Sequence, residues 1–344
     1  MMKPLIGEEK TMSAFVDELI ASYRCPEWLS SGHANTIWAY SIKPAPRIEY
    51  RREGLETSDG DLIHLDWTEP TFDTESELPL VLGCHGLEGS ANAPYIRRLM
   101  HQVGERGWGG VAMNYRGCSG RNRTALAYHA GFTQDLERVL EHIAELAPRR
   151  PLFIVGYSLG GSITANYLGS VGSSLIPNLR SAFLVSTPFN LEPGTHALRR
   201  GFNRVYEQKF LLTLRFKALM KGLEFPELRA QAMRAARVGS IRDFDNSWIA
   251  PVFGFDDAED YYAKTSAANR LADIEIPVFA LHAHDDPFII PDCVPKTAFD
   301  SAKNVTLGVT ERGGHVGFVC KDNPHWLEEQ ALKWVRMHLA SGSV

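Results

Sequence analysis

The sequence predicts an α/β fold in which a mostly parallel, eight-stranded sheet is flanked by helices, and three observations predict it. Short apolar runs alternate with longer amphipathic segments along most of the 344 residues, the arrangement of strands covered by helices. One run, Phe153-Ile154-Val155, ends in Gly156-Tyr157-Ser158-Leu159-Gly160 and gives way to helical spacing at Ile163, Tyr167 and Leu168. Between residues 188 and 256 the alternation fails, and the chain reads as helical hairpins inserted into the sheet order.

Taken in order, strands are expected over residues 48–56 and 62–67, with the Asp59-Gly60 turn between them making an antiparallel hairpin. Strand 78–84 runs into a His-Gly loop, and helix 94–106 follows. Strand 110–115, helix 134–146, strand 152–156, helix 159–168 and strand 181–186 continue the alternation. After the insertion come helix 258–271, strands 278–282 and 305–310, and a last helix, 324–339. Its Leu327, Leu332, Trp334, Val335 and His338 would cover a sheet edge. The expected organisation is an N-terminal extension packed on the core (1–46), an α/β core (47–188 and 257–344) and a helical cap (189–256).

Composition excludes several classes of function. Hydrophobic residues at 44% and charged residues at 22% are ordinary globular values, and a formal charge of −5 gives no reason to expect a nucleic-acid partner. The five cysteines are scattered and hold no C-x-x-C pair, which argues against a disulfide framework or a thiolate zinc site and fits a reduced cytoplasm. Cys84, inside an apolar run, is expected to be a buried small hydrophobe. Residues 1–19 carry four acids and lack a signal-peptide core, and no apolar run is long enough to span a bilayer.

The chemistry gathers around Ser158. A tight strand-to-helix turn leaves a serine strained, with its hydroxyl pushed out at the strand end, and the helix start adds unpaired N–H groups beside it. Such a nucleophile needs a base and a carboxylate to hold that base in the right tautomer. Both follow beyond strand ends: Ala283-His284-Asp285-Asp286-Pro287-Phe288, then Gly313-Gly314-His315-Val316-Gly317. Serine, acid, histidine is the chain order of α/β-hydrolases. Ala283, a small residue closing its strand three places before the acid, favours Asp286, with Asp285 hydrogen-bonding the loop backbone instead.

An oxyanion hole would use the N–H of Leu159, after the nucleophile, and that of Leu87 in the loop His85-Gly86-Leu87-Glu88-Gly89. His85, directly before a glycine, is expected to brace that loop. His282-Ala283-His284-Asp285-Asp286 superficially resembles a metal-binding loop, and in a strand both histidines would face one side. The second spacer and a following histidine are missing, so no metal or cofactor is expected. In the insertion, residues 199–221 hold seven cations against the single acid Glu207, interleaved with Phe202, Val205, Phe210, Leu211, Leu214 and Phe216. They read as a helix with a solvated basic face, or as a lid offering an apolar face to acyl chains and a basic one to lipid head groups.

These residues carry a family likeness. The chain resembles the YheT-like branch of the α/β-hydrolase superfamily, alongside ABHD lipid hydrolases and yeast ethyl ester synthases. The likeness runs from Ser31-Gly32-His33-Ala34-Asn35-Thr36 through His85-Gly86-Leu87-Glu88-Gly89, Asn114-Tyr115-Arg116-Gly117 and Gly156-Tyr157-Ser158-Leu159-Gly160. It continues in Arg242-Asp243-Phe244-Asp245-Asn246, Gly254-Phe255-Asp256-Asp257, Asp285-Asp286-Pro287-Phe288 and Gly313-Gly314-His315. The family commonly has glutamine where this chain has Asn35. The resemblance implies the α/β-hydrolase fold, Ser158 as nucleophile, Asp286 as its charge partner and His315 as base. Because the chain starts without the transmembrane helix of its anchored relatives, a soluble form is implied.

The expected function is hydrolysis of carboxylic esters, medium-chain acyl or lipid-like, through an acyl-enzyme and without a cofactor. Two other classes stay open at this level. One is an acyltransferase making esters from acyl-CoA and an alcohol, and the other is a binding protein on a hydrolase scaffold.

Overall fold

A computed structural model describes residues 6–69, 73 and 76–339. The chain opens with α1 (Ile6–Ser22) and α2 (Gly32–Ser41), then forms the hairpin β1 (Arg51–Glu56) and β2 (Leu62–Trp67). Its turn closes as the Asp-Gly pair dictates, with Gly60 at φ 79° and the Thr57 N–H donating to Asp61 O. There follow β3 (Leu80–Cys84), α3 (Pro94–Gly104), β4 (Gly109–Asn114), α4 (Gln134–Leu146), β5 (Leu152–Tyr157), α5 (Leu159–Val171) and β6 (Leu179–Val185). The next stretch is helical: α6 (Leu191–Leu198), α7 (Asn203–Glu224), α8 (Arg229–Ala235), α9 (Ile241–Phe244), a π turn (Asp245–Ile249) and α10 (Ala250–Phe253). After α11 (Ala258–Thr265) come β7 (Val278–Ala283), α12 (Lys296–Ser301), β8 (Val305–Thr310) and α13 (Trp326–Met337).

The eight strands lie in the order β1-β2-β4-β3-β5-β6-β7-β8, antiparallel at β1/β2 and β2/β4 and parallel elsewhere. Strand alternation sorts the core into two layers. Leu80, Leu82, Ile154, Leu184 and Ala280 face α4 and α5, while Val81, Phe153, Val155, Phe183 and Phe279 face α1, α3 and α13. On the second face Phe15 of α1 sits edge-on to Phe279, ring centroids 5.1 Å apart, and beside Trp334 of α13. Cys84 is fully buried, as a small hydrophobe in this sheet should be.

Two local expectations need correction. Helix 258–271 stops at Thr265 and continues as a tighter 3₁₀ turn, because the Ala268 N–H donates across to Phe189 O rather than up its own helix. His282 and His284 do not face one side. His282 ends buried, bonded through Nε2 to Ile289 O, whereas His284 lies past the end of β7 and is exposed.

Candidate active site

Ser158 sits between β5 and α5 with φ 52° and ψ −122°, a conformation that a non-glycine residue holds only under restraint. Its N–H donates to Val185 O at 2.8 Å. Gly156 and Gly160 permit the turn. A Cβ at Gly156 would stand 2.9 Å from Gly161 Cα, and one at Gly160 would press into the carbonyl oxygens of Cys84 and His85.

The loops beyond β7 and β8 bring the other two side chains to this serine. His315 Nε2 lies 3.0 Å from Ser158 Oγ, and His315 Nδ1 lies 2.9 Å from Asp286 Oδ2. With Nδ1–H donating to the carboxylate, Nε2 is left as the acceptor for the serine proton. Asp286 is fixed in turn, since its Oδ1 accepts the N–H groups of Phe288 and Ile289 at 2.8 and 3.0 Å. Burial works to raise its pKa, but His315 and these donors outweigh burial and hold it below the ordinary carboxylate value. Asp285 bonds elsewhere: its Oδ1 accepts the Gly314 N–H at 2.8 Å.

Leu87 and Leu159, the expected oxyanion donors, both line the cavity that Ser158 and His315 open into. Gly86 approaches Ser158 so closely that a Cβ on it would lie 3.1 Å from the serine Cβ. On either side of Leu87 the N–H groups are occupied, Gly86 donating to Tyr95 Oη and Glu88 to Tyr128 Oη. Leu159 is the first residue of α5, where an N–H has no partner within the helix. His85 braces this loop: it is fully buried, its Nδ1 bonds Gly86 O and its Nε2 accepts the Tyr115 N–H. Burial pushes its pKa down to about 4, so it stays neutral.

Residues 79–322 match the family model described as the alpha/beta hydrolase fold. YheT of Escherichia coli (strain K12) is 37% identical over 91% of this chain and 93% of its own length. The chain belongs to the α/β-hydrolase superfamily, in its YheT-like branch. Human Phospholipase ABHD3 is 31% identical over 85% of this chain and 72% of its own length. Among solved structures, the Pyrococcus furiosus esterase Pf2001 superposes with a TM-score of 0.57 at 16% identity, covering 88% of this chain and 100% of that one. Relatives named as esterases and lipases place ester hydrolysis within the range of this family's chemistry.

Several site residues of this family member carry no signal in the serine motif or its partners. Thr36 of α2 accepts the His315 N–H at 2.8 Å and donates to Gly32 O at 2.6 Å. Gly32 packs so tightly on the second loop that a Cβ would overlap the Asp285 carbonyl oxygen, and Gly314, at φ 59°, fits under Gly32 O only without a side chain. Asn35 Oδ1 accepts the Val319 N–H. The conspicuous Gly32-to-Thr36 string is thus a clamp on the two loops carrying Asp286 and His315. Its presence in the family likeness was the one signal that could have flagged it.

Above Ser158 lies a cavity of about 1200 Å³, predominantly apolar, reached by Ser158, His315, Leu87 and Leu159 from below and by α6, α7, α9 and the π turn from above. The helix α7 does not bury its apolar residues uniformly: Val205, Leu212, Phe216 and Leu223, with Phe202 just before it, are at least half exposed. Among the described residues no group of three or more His, Cys, Asp or Glu side chains is placed to hold a metal, and no helix is long and apolar enough to cross a membrane.

Proposed function

We propose that the protein is a serine hydrolase that cleaves carboxylic esters with apolar acyl groups through an acyl-enzyme. The observation that carries this is the unbroken hydrogen-bond chain Ser158–His315–Asp286 opening into a large apolar cavity. His315 Nε2 takes the Ser158 proton as Oγ bonds to the ester carbonyl carbon, and Asp286 stabilises the imidazolium that results. The Leu87 and Leu159 N–H groups face the carbonyl oxygen as it gains charge. The imidazolium then gives its proton to the departing alcohol oxygen as the C–O bond breaks. Water, giving a proton to His315, then attacks the acyl carbonyl carbon; the C–Oγ bond breaks, Ser158 Oγ takes that proton back from His315, and the acid leaves.

The apolar, half-exposed side chains of α7 stand among Arg199, Arg200, Arg204, Lys209 and Arg215, which suits contact with an anionic lipid surface at the cavity mouth. Relatives named Phospholipase ABHD3 and, in Saccharomyces cerevisiae, Monoacylglycerol lipase support esters of this apolar kind. The test is turnover of 4-nitrophenyl esters of graded acyl length. The wild type should release free acid, and Ser158→Ala should lose about three or more orders of magnitude in kcat. Medium-chain acyl-CoA offered with ethanol should likewise give free acid; ethyl ester as the main product would reassign the protein as an acyltransferase.

A further inference from the structure

Within the cap side of the cavity one polar group stands out. Asp245 opens the π turn between α9 and α10, is 8% exposed, and belongs to the cavity wall together with Phe244, Trp248 and Tyr261. Tyr262 Oη donates to its Oδ2 at 2.6 Å, while its Oδ1 takes no hydrogen bond from any described residue. Oδ1 is not among the sealed side-chain atoms without a partner, so it opens onto the cavity, and holding a carboxylate in so apolar a wall is costly. Burial accordingly pushes its pKa up to about 7, with the Tyr262 hydroxyl holding it down in part.

The cost is not explained by the fold's need for a tie at this point. Asn246, the next residue, already joins the π turn to α11 by accepting the Ala258 N–H at 2.7 Å, and Asp257 caps that helix itself. A π turn is also a frequent way to turn a side chain toward a ligand. The Tyr262 hydrogen is spent on Oδ2, so in the ionised carboxylate, at a pH above about 7, Oδ1 is left to accept. A cationic donor is disfavoured, because Lys209 and Lys221 already bring positive charge to the lining of the same cavity.

We propose that Asp245 Oδ1 is a substrate subsite that accepts a hydrogen bond from a neutral hydroxyl group carried by the ester away from the bond that is cleaved. This rests on the ester-hydrolase reading and makes Asp245 a specificity determinant within it. Asp245 shares no hydrogen bond with the Ser158–His315–Asp286 chain, so the hydroxyl is a group separate from the reacting carbonyl.

The experiment compares kcat/KM for 4-nitrophenyl hexanoate with its positional hydroxy isomers, and for butyl hexanoate with hydroxybutyl hexanoates, so that acyl and alcohol arms are read separately. The ratio of hydroxylated to parent ester is the readout, because general damage to the fold lowers both rates together. In the wild type at least one hydroxyl position should be preferred by about tenfold or more. Asp245→Leu should erase that preference, and Asp245→Asn, which keeps the volume and a neutral acceptor, should reduce it several-fold. No position preferred beyond about twofold in the wild type, or a preference intact in Asp245→Leu, would overturn the proposal. Should the leucine variant not fold, an unchanged preference in Asp245→Asn overturns it instead. Failure of the wild type to cleave any of these esters would remove the ester-hydrolase reading itself, a result distinct from cleavage without preference.

Discussion

Thr36→Val tests the clamp on the catalytic loops without touching a reacting atom. Valine keeps the shape of threonine, but the part-buried His315 N–H loses its acceptor at 2.8 Å and the buried Gly32 O loses its donor at 2.6 Å. Each stranded group costs about 1–3 kcal/mol, so the folded state should lose about 2–6 kcal/mol, read as a shift in the denaturant midpoint. The loop can recover part of this only by moving the His315 backbone, and the imidazole moves with it. A base held 3.0 Å from Ser158 Oγ tolerates little displacement. A kcat lower by about 10- to 100-fold, with KM changed less, corresponds to about 1.4–2.8 kcal/mol in the barrier. Steady-state kinetics on a 4-nitrophenyl ester, at a temperature where the variant is folded, reads both terms. Thr36→Ser restores the hydroxyl and should return kcat to near the wild-type value. A valine variant with wild-type kcat, or a loss that serine does not restore, would refute the positioning role.

Two further outcomes follow from charge. His85 and His129 are pushed down by burial to about 4 and about 3, so between pH 6.5 and 4 the unfolded chain binds two protons that the folded chain refuses. Asp245, raised to about 7, works the opposite way by one proton. Stability should therefore fall on acidification by about 1.4 kcal/mol per pH unit from these three groups, and urea titrations of Asp245→Leu should give a slope steeper by about the same amount. Second, the basic, half-exposed face of α7 should bind vesicles containing anionic lipid more tightly than neutral ones and release them as salt rises; equal binding to both in a co-sedimentation assay would count against it.

Much of the sheet was legible because period-two burial on both faces leaves a plain record: the odd and even residues of Leu80–Cys84 and Leu152–Tyr157 go to different layers, and both layers are apolar. Asp286 could be chosen over Asp285 because Ala283 marks where β7 ends. Long-range loop contacts left no such record. Thr36 and His315 are separated by 279 positions, and nothing periodic connects them. The end of α11 at Thr265 was hidden for a similar reason, since the pairing of Ala268 with Phe189 decides it. The helix α7 was legible as a basic helix interleaved with apolar residues, but which of those lie open, as Phe216 does, and which are buried, as Leu211 is, depends on the elements packed against it. Asp245 was visible as part of a family-like string, but only the cavity around it shows a carboxyl with an oxygen to spare.

The central claim is that Ser158 is an activated nucleophile. Intact-mass detection of fluorophosphonate labelling tests it most directly, comparing the wild type with Ser158→Ala and His315→Ala. One adduct is expected on the wild type, none on Ser158→Ala and slow labelling of His315→Ala. A folded wild type that takes no adduct, or an adduct that persists in Ser158→Ala, would contradict it.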